Sequence, residues 1–250
     1  GVLALLAVAN LGVHLGVLWG GAAVARTSLH GALYLVLVLL VIISGRIVPL
    51  FTRNALRRRG VEITVEPSLS VERLLVPVMG AAIALALLRP GSTTSGIASL
   101  LSGALLALRQ ARWQPQRTLD QPILWVLHVG HAWLALGFVC TGIAALVPSF
   151  PASTALHAFG AGAIGTSIVG VMSRVALGHT GREIEASSAM VIAYALVILG
   201  GLVRVFGPLA LPGSYRATVI WAGSLWAAGY VLFALRSAPL LTRPRVPSGE

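Results

Sequence analysis

From Leu33 to Ser44 the chain reads Leu-Tyr-Leu-Val-Leu-Val-Leu-Leu-Val-Ile-Ile-Ser, without a single charge. A helix needs about 20 largely apolar residues to cross roughly 30 Å of hydrocarbon. Eight segments approach that length, near 2–20, 29–46, 73–88, 94–111, 122–147, 155–177, 187–206 and 215–238, the third and fourth being short. Lipid offers no partner to a free backbone amide, so each segment must satisfy its own hydrogen bonds as a helix. The expected fold is all-α: a polytopic transmembrane helix bundle of about eight spans, with residues 1–250 forming a single transmembrane domain.

Charge supports this reading. Charged residues make up 10% of the chain, where a soluble domain carries about 25%. The net charge of +11 would suit phosphate, but the placement does not suggest nucleic acid. Every basic residue is Arg, and most lie between apolar runs. One set of alternate connections holds Arg46, Arg53, Arg57, Arg58, Arg59 and Arg73, then Arg109, Arg112 and Arg117, then Arg174 and Arg182. Arg236, Arg243 and Arg245 extend that side into the tail, and the opposite side keeps only Arg26, Arg89, Arg204 and Arg216. The positive-inside rule places the arginine-rich side, and with it the C-terminus, in the cytoplasm. A bacterial inner membrane is the expected location.

The acids Glu62, Glu66, Glu72, Asp120, Glu183, Glu185 and Glu250 fall on the same inner side, so no carboxylate is expected within a span. This removes the usual apparatus of cation-coupled transport, which relies on intramembrane acids. Cys140 is the only cysteine, which excludes an intramolecular disulfide and a Cys-rich metal site. The chain opens at Gly1 in apolar sequence with no basic n-region. A signal peptide is therefore not expected, and an N-terminal portion is expected to be missing.

Histidines are the remaining groups of chemical interest at membrane depth: His14, His30, His128, His131, His157 and His179. Neutral imidazole is the commonest metal ligand and an axial ligand of haem. For any one of them an interhelical hydrogen bond is the plainer reading. Two ligands of one iron must share a depth. His14, His30 and His157 lie at the outer level, which makes His14 with His157 the first pair to consider. His128 and His131 lie at the inner level and, three residues apart, share a helix face that can bracket a metal.

The stretch Gly160-Ala-Gly162-Ala-Ile-Gly165 matches a dinucleotide fingerprint. That fingerprint has meaning only between a strand and a helix. Inside an apolar helix, Gly162, Thr166 and Gly170 instead form a small-residue stripe for close helix packing.

Three stretches carry a family likeness. They are Gly45-Arg46-Ile47-Val48-Pro49-Leu50-Phe51-Thr52-Arg53-Asn54, Leu127-His128-Val129-Gly130-His131-Ala132-Trp133-Leu134, and Leu156-His157-Ala158-Phe159-Gly160 running on to Met172-Ser173-Arg174-Val175-Ala176-Leu177-Gly178-His179-Thr180-Gly181-Arg182. Together with the tail from Tyr230 to Arg245 they resemble the NnrS family. That family comprises haem- and copper-containing bacterial inner-membrane proteins linked to nitric oxide metabolism and nitrosative stress. The resemblance implies haem and copper as cofactors and nitric oxide as the small ligand. It also implies that this chain corresponds to the C-terminal two-thirds of a longer protein of about twelve spans, each of bilayer-crossing length.

Residue by residue, the resemblance marks His14, His157, His128 and His179 as candidate metal ligands. His14, His157 and His128 are also cofactor-binding candidates, together with Arg46 and Arg174. An Arg at the end of a span can pair with a haem propionate, although snorkelling to the interface is its ordinary role. Two departures stand out. The family's early His-Ala-His-Glu-Met stretch is absent here, and the position of His131 is more often Tyr. His179-Thr180-Gly181-Arg182 reads as a turn, with Gly181 accepting an unusual φ. No residue is marked as catalytic. Two other classes remain open: a small-solute permease, for which Val76-Pro77-Val78 would break the third span, and a purely structural membrane subunit.

Overall fold

A computed structural model describes residues 1–61, 65 and 68–246 of the chain. Glu62, Glu66 and Glu250, three of the acids expected on the inner side, lie outside the described residues. The helices are α1 (Val2–Leu18), α2 (Ala22–Arg58), α3 (Leu69–Leu88), α4 (Thr93–Ala111) and α5 (Pro122–Leu146). They are followed by α6 (Ala152–His157), a π-helical segment (Ala158–Ile164), α7 (Gly165–His179), α8 (Ser188–Ala210) and α9 (Tyr215–Thr242). Since α6, the π segment and α7 run on as one rod, these elements reproduce the eight expected segments in order.

Six of the described rods are both long and apolar enough to cross a membrane. The other two differ for separate reasons. With 17 residues α1 is short. The 19-residue α4 is diluted by Ser95, Gly96, Ser99, Ser102 and Gly103, which are all buried. These small residues let α5 approach. A Cβ on Gly103 would meet Val139 and the Ala135 carbonyl, and one on Gly96 would meet Leu146. Close backbone approach of this kind is how small residues join helices in lipid. Ser102 returns its hydroxyl to the Ala98 carbonyl at 2.8 Å and so costs little inside the helix.

Turn chemistry sets the boundaries. Ser92 and Ser187 cap α4 and α8 by accepting from the Ser95 and Met190 amides. Pro122 opens α5 where its missing N–H is not needed.

The sequence places the end of the second span at residue 46, but α2 continues through Pro49 to Arg58. Its inward residues explain the extension: Leu37, Val41, Gly45, Val48, Thr52, Ala55 and Leu56 are buried at helical spacing, while Arg46, Arg57 and Arg58 are exposed. At 1.5 Å per residue its 37 residues span about 55 Å, well beyond the hydrocarbon. Pro77 similarly leaves α3 unbroken, so the break that a permease reading would draw on is not formed there.

At the centre is α5, packed against α2, α4, α6 and α7. Two apolar clusters are stacked along it. One, at the arginine-rich end, gathers Trp113, Val126, Leu127, Val169 and Tyr194. The other, nearer the opposite end, gathers Leu37, Trp133, Phe138 and Phe159. The small-residue stripe behaves as expected: Gly162, Thr166 and Gly170 are buried, with Gly162 against Trp133 and Gly170 against Leu127 and Val126.

Candidate functional site

Four helices bring polar side chains into the bundle near its arginine-rich end. His128 and His131 on α5 are buried, with relative exposures of 3% and 0%. They share a face turned to α2, as their spacing predicts. The His128 Nε2 lies 3.0 Å from Thr52 Oγ1, and the His131 Nδ1 lies 2.9 Å from Ser44 Oγ. Ser44 and Thr52 are eight residues apart, about 12 Å along α2, so the two rings splay apart as they reach it. The Ser44 hydroxyl also donates to the Val41 carbonyl at 3.4 Å. Which of Ser44 and His131 donates depends on the tautomer of the ring.

The other ring nitrogens are bare. Among the described residues, His128 Nδ1, His131 Nε2 and the nearby Trp113 Nε1 are buried with no hydrogen-bond partner. Trp113 lies just past the end of α4 and is fully buried. Its ring centroid is 4.5 Å from His131 and 6.4 Å from His128. The chain turns sharply there, with Gln114 in the left-handed region at φ 58°. Gln110 adds a backbone tie by donating to the His128 carbonyl at 3.0 Å.

The charge beside this pair is Arg109. Its guanidinium meets Glu72 on α3 through two hydrogen bonds of 2.6 and 2.7 Å, and a third reaches the Val41 carbonyl on α2 at 3.0 Å. Gly45 makes this possible, since a Cβ there would fall on the guanidinium itself. The expectation that no carboxylate lies within a span therefore needs correction at Glu72, which falls inside the candidate span Leu69–Leu88. The third helix begins four residues earlier than its apolar run, at Leu69, and takes Glu72 into its first turn. Because Glu72 neutralises Arg109, the imidazoles lie beside no net charge from this pair.

The remaining candidates lie elsewhere. His14 is exposed on α1, whose main packing is against α2. His157 ends α6 and lines a groove bordered by α8 and α9. The structure does not bring His14 and His157 together, because a matched depth does not decide which helices adjoin. His30 lines a cavity of about 160 Å³ with Tyr34, Ser95 and Thr141. Arg46 is exposed on α2.

Arg174 stacks over the Phe51 ring at 3.8 Å. It shares with His179 a largely apolar groove of about 520 Å³. The turn after His179 forms as read. Gly181 has φ 70°, and Thr180 returns its hydroxyl to the Ala176 and Leu177 carbonyls. Arg182 donates to the Leu240 carbonyl, binding the tail to this turn.

Sequence reading missed the partners Ser44, Thr52, Gln110 and Trp113, the Arg109–Glu72 pair, and Arg204 in the His157 groove. Only Trp113 carried a visible signal, as a lone large apolar residue in the polar run Arg112-Trp113-Gln114. Among the described residues no group of three or more His, Cys, Asp or Glu side chains is placed to hold a metal ion. The imidazole pair offers at most two donors of its own.

The family model described as NnrS protein matches residues 1–245. No curated protein and no solved structure matches the chain.

Proposed function

The chain belongs to the NnrS family, and from that premise we propose that it is a haem- and copper-binding protein of the bacterial inner membrane that acts in nitric oxide metabolism or protects against nitrosative stress. The observation that carries the reading is the state of His128 and His131. Each is buried and fixed through one ring nitrogen by a hydroxyl, and each presents the other nitrogen bare. Metal-bound histidines have this arrangement, in which the second nitrogen is held by an outer partner that sets the ring's direction. Imidazole nitrogen suits copper and iron alike.

His128 and His131 are the residues that would hold a metal here. Thr52 and Ser44 orient the rings, and the fully buried Trp113 ring packs beside both. Glu72 holds Arg109 neutralised, so that a bound cation meets no unbalanced positive charge from the pair. A bound metal supplies a site where a small gas can coordinate and exchange electrons. Nitric oxide is neutral and dissolves in hydrocarbon, so it needs no charged route through the bundle. The arginine distribution supports a cytoplasmic C-terminus.

The test is a visible absorption spectrum and a metal analysis of protein purified from membranes, for the wild type, His128→Ala and His131→Ala. We expect a chromophore and bound copper in the wild type, with metal lost in at least one variant. A wild-type preparation with neither haem nor copper would overturn the reading.

A further inference from the structure

The helices α2 and α7 both lie against α5 without packing closely on each other. Between them runs the largely apolar groove of about 520 Å³, with the buried Leu127 of α5 at its floor. Ile43, Ile47 and Phe51 recur every four residues along the α2 wall, and Val171 and Val175 do so along the α7 wall. Ile43 and Val175 stay exposed, so the groove opens outward, toward lipid in a chain of membrane-crossing helices.

Among the described residues that line it, Arg174 carries the one permanent charge. It lies five residues before the end of α7 at His179, about 8 Å inside the helix end. An arginine at this depth ordinarily extends its head to water. Here the guanidinium is half-buried and stacked on the Phe51 ring at 3.8 Å, which holds it across the groove from one wall to the other. Stacking occupies the face of the planar fork and leaves its N–H edge for an oxyanion.

The protein itself supplies no such oxyanion among the described residues. Asp120 pairs with Arg59 and Glu72 with Arg109, whereas Arg174 has no carboxylate partner. Glu183 and Glu185 line the neighbouring cleft with Arg58, Arg59 and Arg182 rather than this groove. Arg58, at the end of α2, adds its positive field to that of Arg174. A cation at the head of an apolar groove suits an amphiphile with an anionic head.

We propose that this groove binds one anionic glycerophospholipid, its phosphate on the Arg174 guanidinium and an acyl chain along Ile43, Ile47 and Val171. The lipid comes from the leaflet on the arginine-rich side, where basic pockets between helices hold anionic headgroups. His179, exposed at the end of α7, stands about 8 Å beyond Arg174, in the headgroup layer. A free phosphate would gain nothing from the apolar walls, and a zwitterionic lipid brings its own cation to the same arginine. None of the groove residues belongs to the imidazole pair, so the lipid site stands or falls apart from the metal.

The experiment titrates detergent-purified protein with phosphatidylglycerol or phosphatidylcholine of identical acyl chains and reads bound lipid by native mass spectrometry. Wild type, Arg174→Gln, Arg174→Lys and Gly178→Leu are compared. Wild type should hold one phosphatidylglycerol about fivefold more tightly than phosphatidylcholine, the preference expected of one interfacial cation. Arg174→Gln should abolish that preference with its phosphatidylcholine affinity unchanged, and Arg174→Lys should keep part of it. Gly178 lines the groove, and a Cβ added there meets only Ile184, at 3.8 Å. Gly178→Leu should therefore weaken both lipids while keeping the wild-type unfolding temperature.

Equal affinities for the two lipids in the wild type would make the contact an ordinary annular one and overturn the proposal. A preference untouched by Arg174→Gln, or lipid binding untouched by Gly178→Leu, overturns it too, because the headgroup or the chain then lies elsewhere. Displacement of phosphatidylglycerol by millimolar inorganic phosphate would assign Arg174 to a solution anion and also overturn it.

Discussion

Arg109 and Glu72 join α4 to α3 through a two-pronged ion pair, and the same guanidinium reaches α2 at the Val41 carbonyl. Three helices that touch the imidazole-bearing α5 or its neighbours are thereby locked at one point. Arg109 is buried in this pair while Glu72 is 30% exposed, so losing the carboxylate costs more than losing the guanidinium.

Glu72→Gln should destabilise the protein by about 1–3 kcal/mol, because it strands the buried Arg109 guanidinium, and Arg109→Met by less, because Glu72 is 30% exposed and stays in reach of water. The double variant should cost clearly less than the sum of the two. Thermal unfolding in detergent, read as a double-mutant cycle, checks this. Strict additivity would show that the pair is not coupled.

Gly45→Ala places a methyl group where the Arg109 guanidinium now lies. Overpacking of this kind costs about 1–3 kcal/mol. The loss should largely vanish in an Arg109→Ala background, where the space is free. Unfolding temperatures of the four proteins decide the point.

Thr52→Val keeps the shape at α2 but removes the hydroxyl that holds His128. If His128 ligates metal, affinity should fall about 10–100-fold while the fold is retained. Ser44→Ala should act in the same way through His131. Competition of bound metal against a chelator measures both. Unchanged affinities in both would mean that the hydroxyls do not orient ligands.

Reporter fusions test the orientation. A reporter placed after Val246 should be active on the cytoplasmic side, as should one inserted between Trp113 and Gln121. Insertions at 89–92 or 147–151 should report the opposite side. A C-terminal reporter active only outside the cytoplasm would reverse the assignment made from the arginines.

Gly181→Ala forces a side chain into the left-handed region at φ 70°, with its Cβ against the Val246 carbonyl. The penalty is about 1–2 kcal/mol, and it should appear locally as faster proteolysis of the tail after Arg243. The absorption spectrum should not change.

What could be read in advance follows from which properties are local. Run length and charge place all eight rods, because crossing hydrocarbon is a demand each segment meets alone. The far end of α2 escapes this reading. Its arginines interrupt the apolar run, and only the facing helices show why Val48, Thr52 and Ala55 turn inward. The shared face of His128 and His131 follows from spacing, whereas their partners Thr52 and Ser44 depend on how α2 lies against α5. Pairing His14 with His157 relied on depth alone, and depth leaves the lateral order of helices undetermined. Arg204 was counted as one of a few outer arginines, since nothing nearby in sequence points to the groove it shares with His157. The π segment leaves no compositional trace.

The π segment also sets the angular register of everything after it. Were 158–164 to relax to ordinary α-helical winding, each residue of α7 would swing by up to about 100° about the axis. Thr166 and Gly170 would then turn away from α5, and the Gly165 carbonyl would leave the Tyr230 hydroxyl that it now meets at 2.8 Å. A single-residue deletion in this short stretch should therefore be felt across two helix interfaces at once, far more severely than its size suggests.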